Sequence, residues 1–181
     1  MVIAVSYDVA LRAAREMLSI PVVGITESAL LTACMLGGRI GVVVFGERVL
    51  PVYEEMAAVY GLTGRIAGWR AVESAAPYGN GDQSEADALL IAAANDLVSR
   101  ERAEVIVLAG AVMSGVPPRV QPFIPVPVLE GVGCAVRQAE LLVDLAPIKP
   151  QRGSYAALPA RELVEVDAAV RAIFPPTPES D

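Results

Sequence analysis

Short apolar runs alternate along this chain with longer stretches of helical periodicity. The runs Val2–Ser6, Val22–Thr26, Ile40–Phe45, Ile66–Val72, Val105–Ala109 and Val126–Leu129 are short and apolar, the pattern of strands buried on both faces. Helical spacing fills the gaps. Asp8–Leu18 opens on a residue suited to an N-cap, with Leu11, Ala14, Arg15 and Leu18 following. Glu27–Leu36 runs into the stop pair Gly37-Gly38, and Arg48–Tyr60 ends at Gly61. Ser84–Arg100 is the longest and most regular stretch, and Val132–Leu145 stops before Pro147. The order β-α repeated five times predicts an α/β fold with parallel strands. Gly79–Asp82 reads as a flexible loop. Phe174–Asp181, with three prolines, reads as a disordered tail.

A weak internal repeat is visible. Val2–Ser6 and Pro21–Glu27 lead into a helix carrying Cys34; Val105–Gly110 and Pro125–Gly131 lead into one carrying Cys134. This fits either a duplicated unit forming two lobes or the ordinary likeness of any two βαβα units. If two lobes face each other, their strand ends converge on a cleft. It would be lined by Ser6, Tyr7 and Asp8, by Thr26 and Glu27, by Phe45, Gly46 and Glu47, by Gly110 to Ser114, and by Glu130 and Gly131. Helix starts at Asp8, Glu27, Arg48 and Gly131 would aim backbone N–H groups at an anionic or imide-like ligand.

Composition narrows the chemistry. The chain has 181 residues, 54% hydrophobic and 19% charged, enough for one domain or two small lobes. No apolar run nears the roughly 18 residues that span a bilayer, and no basic leader precedes one, so a cytoplasmic protein without membrane contact is expected. The net charge is −7, with a single lysine, Lys149, which argues against nucleic acid. Cys34 and Cys134 lack metal or redox spacing and lie inside apolar helical stretches, where a cysteine packs as a small hydrophobe. The chain contains no histidine. Serine–histidine and cysteine–histidine catalysis and imidazole-bound zinc are thereby excluded, leaving carboxylates, Cys, Tyr, Lys149 or water to move a proton.

Asp8, Glu27 and Glu130 each read as a helix cap or as an acid/base, and carboxylates sharing an apolar cleft would raise one another's pKa. Ala109–Gly115 is a strand-to-helix turn of small residues that lets backbone approach a ligand; it is neither a dinucleotide nor a phosphate-loop motif. Trp69 reads as packing and Arg70 as surface. Lys149, Arg152, Ser154 and Tyr155 form a polar stretch read as a linker, with a lid over the cleft as the alternative.

Several segments resemble the hydantoin racemase branch of the aspartate/glutamate/hydantoin racemase superfamily. They are Asp8–Glu16, Pro21–Ala29, Gly38–Val43, Glu104–Met113, Pro127–Val132 and Arg152–Ala156, in family order over most of the chain. The resemblance implies two pseudo-symmetric Rossmann-like lobes: an incomplete first lobe from residues 1–38 and 132–173, a second from 39–131, and a tail from 174. It implies an isomerase without cofactor or metal, acting on a small amino-acid- or hydantoin-like substrate. An incomplete first lobe would expose apolar sheet, so a homo-oligomer or poor solubility is expected. Two facing cysteines would exchange the α-proton; in this chain they fall at Val5 and Gly110. A hydroxyl pair expected after the third strand falls at Phe45 and Gly46. The substrate contacts implied are Ser6, Thr26, Phe45, Gly46, Gly110, Ala111, Val112 and Met113, with Asp8, Glu27 and Glu130 left as acid/base candidates. The resemblance also implies a strand and helix before Val2. Three readings follow: a racemase or related isomerase without the thiol pair, a different reaction in the same cleft such as decarboxylation or a one-base isomerisation, or a non-catalytic binding or regulatory relative.

Overall fold

The computed structural model describes residues 1–73 and 83–156, with residues 158–159, 163–171 and 174 of the C-terminal segment. The Gly79–Asp82 loop and residues 175–181 of the expected tail lie outside the described residues.

Each of the six apolar runs contributes a strand, but the expected strand Val22–Thr26 is cut to two residues because Ile25 and Thr26 already open the following helix. The strands are β1 (Val2–Ile3), β2 (Val23–Gly24), β3 (Ile40–Phe45), β4 (Ile66–Val72), β5 (Val105–Ala109) and β6 (Val128–Glu130). The helices are α1 (Leu11–Met17), α2 (Ile25–Leu36), α3 (Leu50–Val59), α4 (Ser84–Glu101), α5 (Pro117–Val120), α6 (Gly131–Asp144) and α7 (Ala168–Arg171). Strands β4-β3-β5-β6 make one sheet and β1-β2 another, and every pairing is parallel. The α/β architecture with parallel sheets stands as the apolar runs predicted.

Period-2 alternation explains why the large sheet has no polar face. Val43, Ile106 and Leu108 point into a core closed by α4 and α5 through Leu90, Leu97 and Val120. Val42, Val44, Val105 and Val107 point the other way, onto Ala29, Leu30 and Ala33 of α2 and Tyr53 and Met56 of α3. A third, smaller core joins Val23 and Ile25 to Ala135 of α6. Helix α2 therefore belongs to both sheets: it follows β2, packs on α6, and covers one face of the large sheet.

Two further sequence expectations are corrected here. The first run stops being a strand at Ile3, and Ser6–Asp8 forms a tight 3-10 turn. Tyr7, Asp8 and Ala10 all take positive φ, of 72°, 47° and 63°. Such angles cost a non-glycine residue about 1–3 kcal/mol and persist only where surroundings enforce them. Helix α1 starts three residues later than expected, after Ala10, and Asp8 does not cap it.

The stretch after α6 is also not a free linker. Lys149 Nζ donates to the carbonyls of Arg15, Glu16 (3.0 Å) and Leu18 (2.8 Å), satisfying the orphan acceptors at the end of α1. A cation there also meets the negative end of the helix dipole. This docking carries Tyr155 to the cleft described below. Lys149→Met is expected to lower stability by about 1–3 kcal/mol. It should also speed hydrogen exchange at the end of α1 and across residues 146–156, read by mass spectrometry.

Candidate ligand cleft

Asp8 organises the place where the two sheets meet. Its carboxylate accepts from the backbone N–H of Thr26 (3.0 Å, Oδ1) and of Glu27 (2.8 Å, Oδ2), the second and third residues of α2. It thus caps α2 from across the fold, a role sequence spacing could not assign. The Tyr60 hydroxyl, just past the end of α3, donates to Oδ2 at 2.7 Å. Asp8 is only 5% exposed, so these three donors replace water around a buried charge. Gly24 is dictated by the same contact: a Cβ there would overlap the Asp8 carboxyl group.

The other two carboxylates are engaged as well. Glu130 accepts from Val132 and Gly133 N–H, both at 2.7 Å, and so caps α6. Glu27 pairs with Arg15 through both guanidinium nitrogens, while Arg15 Nε donates to the Val22 carbonyl at 2.9 Å. The starts of α2 and α6 are therefore occupied by the chain's own carboxylates. The expectation that they aim free N–H groups at an anion is corrected.

An open cleft of about 600 Å³ lies over this network, lined by Tyr7, Asp8, Arg15, Glu27, Tyr60 and Tyr155 among others. A separate, narrower crevice is lined by Thr26, Tyr53, Trp69, Gly110 and Gly131 with apolar neighbours. Tyr7 closes edge-on against Tyr53, ring centroids 5.1 Å apart. A Cβ placed on Gly110 would sit 3.5 Å from the Tyr53 hydroxyl and 3.7 Å from the Ser6 hydroxyl, so Ser6 faces Gly110. Gly110 has φ 117° and ψ 145°, a conformation that glycine takes easily and other residues do not.

Ser6, Asp8, Thr26, Glu27 and Gly110 are thus gathered around the cleft and crevice. Met113 is fully buried in the core on the α4 side. Phe45 packs beside the same core, and the Gly46 N–H bonds the Val72 carbonyl at 2.9 Å; neither lines the cleft or the crevice. Val112 is half-buried against the α4 core, and Ala111 packs against the small one. Val5 is 51% exposed. Cys134 is buried, and burial raises its thiol pKa against a hydrogen bond from the Thr32 side; Cys34 is half-buried beside Ala33 and Ile40. Trp69 packs against the α2–α3 core, while Arg70, read as surface, is held by Asp96 (2.7 Å) and Glu101 (3.1 Å). Among the described residues no group of three or more His, Cys, Asp or Glu converges as metal ligands would.

Residues 1–139 match the family described as Asp/Glu/Hydantoin racemase. The chain belongs to that family. It is similar to the hydantoin racemase of Rhizobium meliloti, 32% identical over 155 residues, covering 86% of this chain and 64% of the relative. The hydantoin racemase of Pseudomonas sp. (strain NS671) is 31% identical over 163 residues, 90% of this chain and 66% of its own. The chain thus spans less than two thirds of the length of these racemases. The allantoin racemase of Klebsiella pneumoniae superposes with TM-score 0.83 at 27% identity, over 96% of this chain and 70% of that one. Arylmalonate decarboxylase, at 19% identity and TM-score 0.51, shares the fold alone. Among the described residues of this racemase-family chain no helix is long and apolar enough to cross a membrane.

Sequence reasoning missed Tyr53, Tyr60 and the Arg15–Glu27 pair. Tyr53 sits at an inward position of α3 and reads as packing, and Tyr60 precedes the Gly61 helix stop, so neither carried a signal. Burial, and then the hydrogen bond to Asp8, raises the Tyr60 phenol pKa above its ordinary value. The folded chain therefore holds this proton more tightly than the unfolded one. The stability gained is complete below about pH 10 and is lost as pH climbs through the folded value. Tyr60→Phe should cost about 1–3 kcal/mol near neutrality and flatten the alkaline loss, read by urea unfolding at pH 7 and above pH 10. Gly24→Ala should cost roughly 3 kcal/mol in the same assay, because the Asp8 cap must move.

Proposed function

We propose that this racemase-family chain binds a small hydantoin- or amino-acid-like ligand between its two sheets, and that it does so without a cofactor and without two-cysteine proton transfer. The sheets correspond in this reading to lobes of residues 1–38 with 132–173 and of 39–131. The family's thiol positions fall at Val5 and Gly110, and neither side chain carries a proton. The observation that carries the reading is the commitment of the carboxylates. Asp8 and Glu130 are spent as helix caps. Their oxygens are taken up by backbone N–H and tyrosine O–H donors, so proton transfer through either would first have to break the cap of α2 or α6.

One feature favours a second reading, a one-base isomerase. Glu27 faces the cleft with Arg15 beside it, and its side chain retains 17% exposure. In that case Glu27 would take the α-proton and either return a proton to the same face, giving exchange, or leave water to protonate the opposite face, giving inversion.

Hydantoin, allantoin, aspartate and glutamate are the panel, with binding read by thermal shift and calorimetry and α-proton exchange read by deuterium wash-in. The binding reading expects a thermal shift with at least one compound and no wash-in. Wash-in that Glu27→Gln abolishes would establish the isomerase instead, and silence in every assay would refute both. Restoring the thiols is a separate matter, since Gly110→Cys forces a side chain onto φ 117°. Gly110→Cys should lower stability by about 1–3 kcal/mol, whereas Val5→Cys, at an exposed position, should change it by less than about 0.5 kcal/mol.

A further inference from the structure

The crevice beneath Gly110 contains a polar group that the fold leaves unused. Thr26 is 5% exposed, its hydroxyl oxygen has no hydrogen-bond partner, and it lines the crevice. A buried hydroxyl without a partner costs about 1–3 kcal/mol, so its retention calls for an occupant that bonds to it. The backbone N–H of Thr26 is already given to Asp8, which holds the residue in place and leaves the hydroxyl as the free arm. Tyr53 lines the same crevice, is 3% exposed, and carries its hydroxyl within 3.5 Å of the space that a side chain on Gly110 would fill.

Size and charge limit what can enter. The free volume is about 10 Å³, room for one water-sized group. The remaining lining residues are Ile25, Ala29, Leu30, Val42, Val107 and other uncharged side chains. With no cation in the wall, a carboxylate would lose its hydration without a counter-charge, whereas a neutral carbonyl oxygen needs only hydrogen-bond donors. The geometry points to a subsite in which the Thr26 and Tyr53 hydroxyls flank one neutral carbonyl oxygen of a ring amide or imide. The lack of a side chain at Gly110 leaves the space by which that oxygen enters. This inference rests on the ligand-binding reading above and adds the two residues that would discriminate the ligand's functional group.

Thr26→Val removes the hydroxyl and keeps the shape, and Thr26→Ser keeps the hydroxyl. Hydantoin is compared with its 2-thio and 4-thio analogues, whose sulfur is larger and a weak acceptor. The wild-type chain is expected to prefer hydantoin over at least one analogue by about tenfold, the size of one hydrogen bond. Thr26→Val should erase that preference with an unchanged or higher melting temperature, Thr26→Ser should keep it, and Tyr53→Phe should reduce it. Unaltered affinity and preference in Thr26→Val would overturn the subsite and leave the binding reading intact. A large fall in its melting temperature would also overturn the subsite, by showing that the hydroxyl serves the fold. A wild-type chain that binds none of the three compounds would overturn the subsite, and silence across the whole panel above, allantoin and the amino acids included, would overturn the binding reading with it.

Discussion

The Asp8 carboxylate ties together three segments that the chain keeps far apart. It belongs to the turn after β1, caps the start of α2, and receives the hydroxyl that follows α3. Each hydrogen bond to a buried charge is worth about 1.5–3 kcal/mol, and the start of α2 adds the positive end of a twelve-residue helix dipole. That sum exceeds the cost of holding Tyr7 and Asp8 at positive φ. The strained turn, the glycine at 24 and the position of Tyr60 are consequences of one satisfied carboxylate.

The rest of the cleft is arranged around that fixed point. Because α2 is held from its start, its inward face can cover the large sheet while its side packs on α6, so one helix sets the spacing of the two sheets. Lys149 closes the opposite end of the neighbouring helix α1 and delivers Tyr155 to the cleft wall. Helix starts that would otherwise be anion sites are filled internally by Asp8 and Glu130. What remains for a ligand is an open cleft walled by Arg15, Glu27 and tyrosines, and a small uncharged crevice with the Thr26 and Tyr53 side chains in its wall.

The scaffold is held by Asp8 and Gly24 at the cap, the alternating cores of β3 and β5, and Glu130 at the start of α6. The positions that the family resemblance assigns to proton transfer hold Val5 and Gly110.

The strands were legible because parallel strands buried on both faces must be continuously apolar, and Ile40–Phe45 and Val105–Ala109 leave no other reading. The main helices were legible from spacing and from stops such as Gly37 and Gly61. The partners of polar side chains were not legible. Asp8 has the local sequence of a cap for α1, yet its carboxylate caps α2, eighteen residues on, because a left-handed turn swings it there. Tyr53 looks like a packing residue until the fold sets its hydroxyl beside Gly110. Periodicity depends on which side of an element faces the core, and the sequence carries that directly. The partner of a hydroxyl or a carboxylate depends on which distant backbone arrives beside it, and only the tertiary structure decided that.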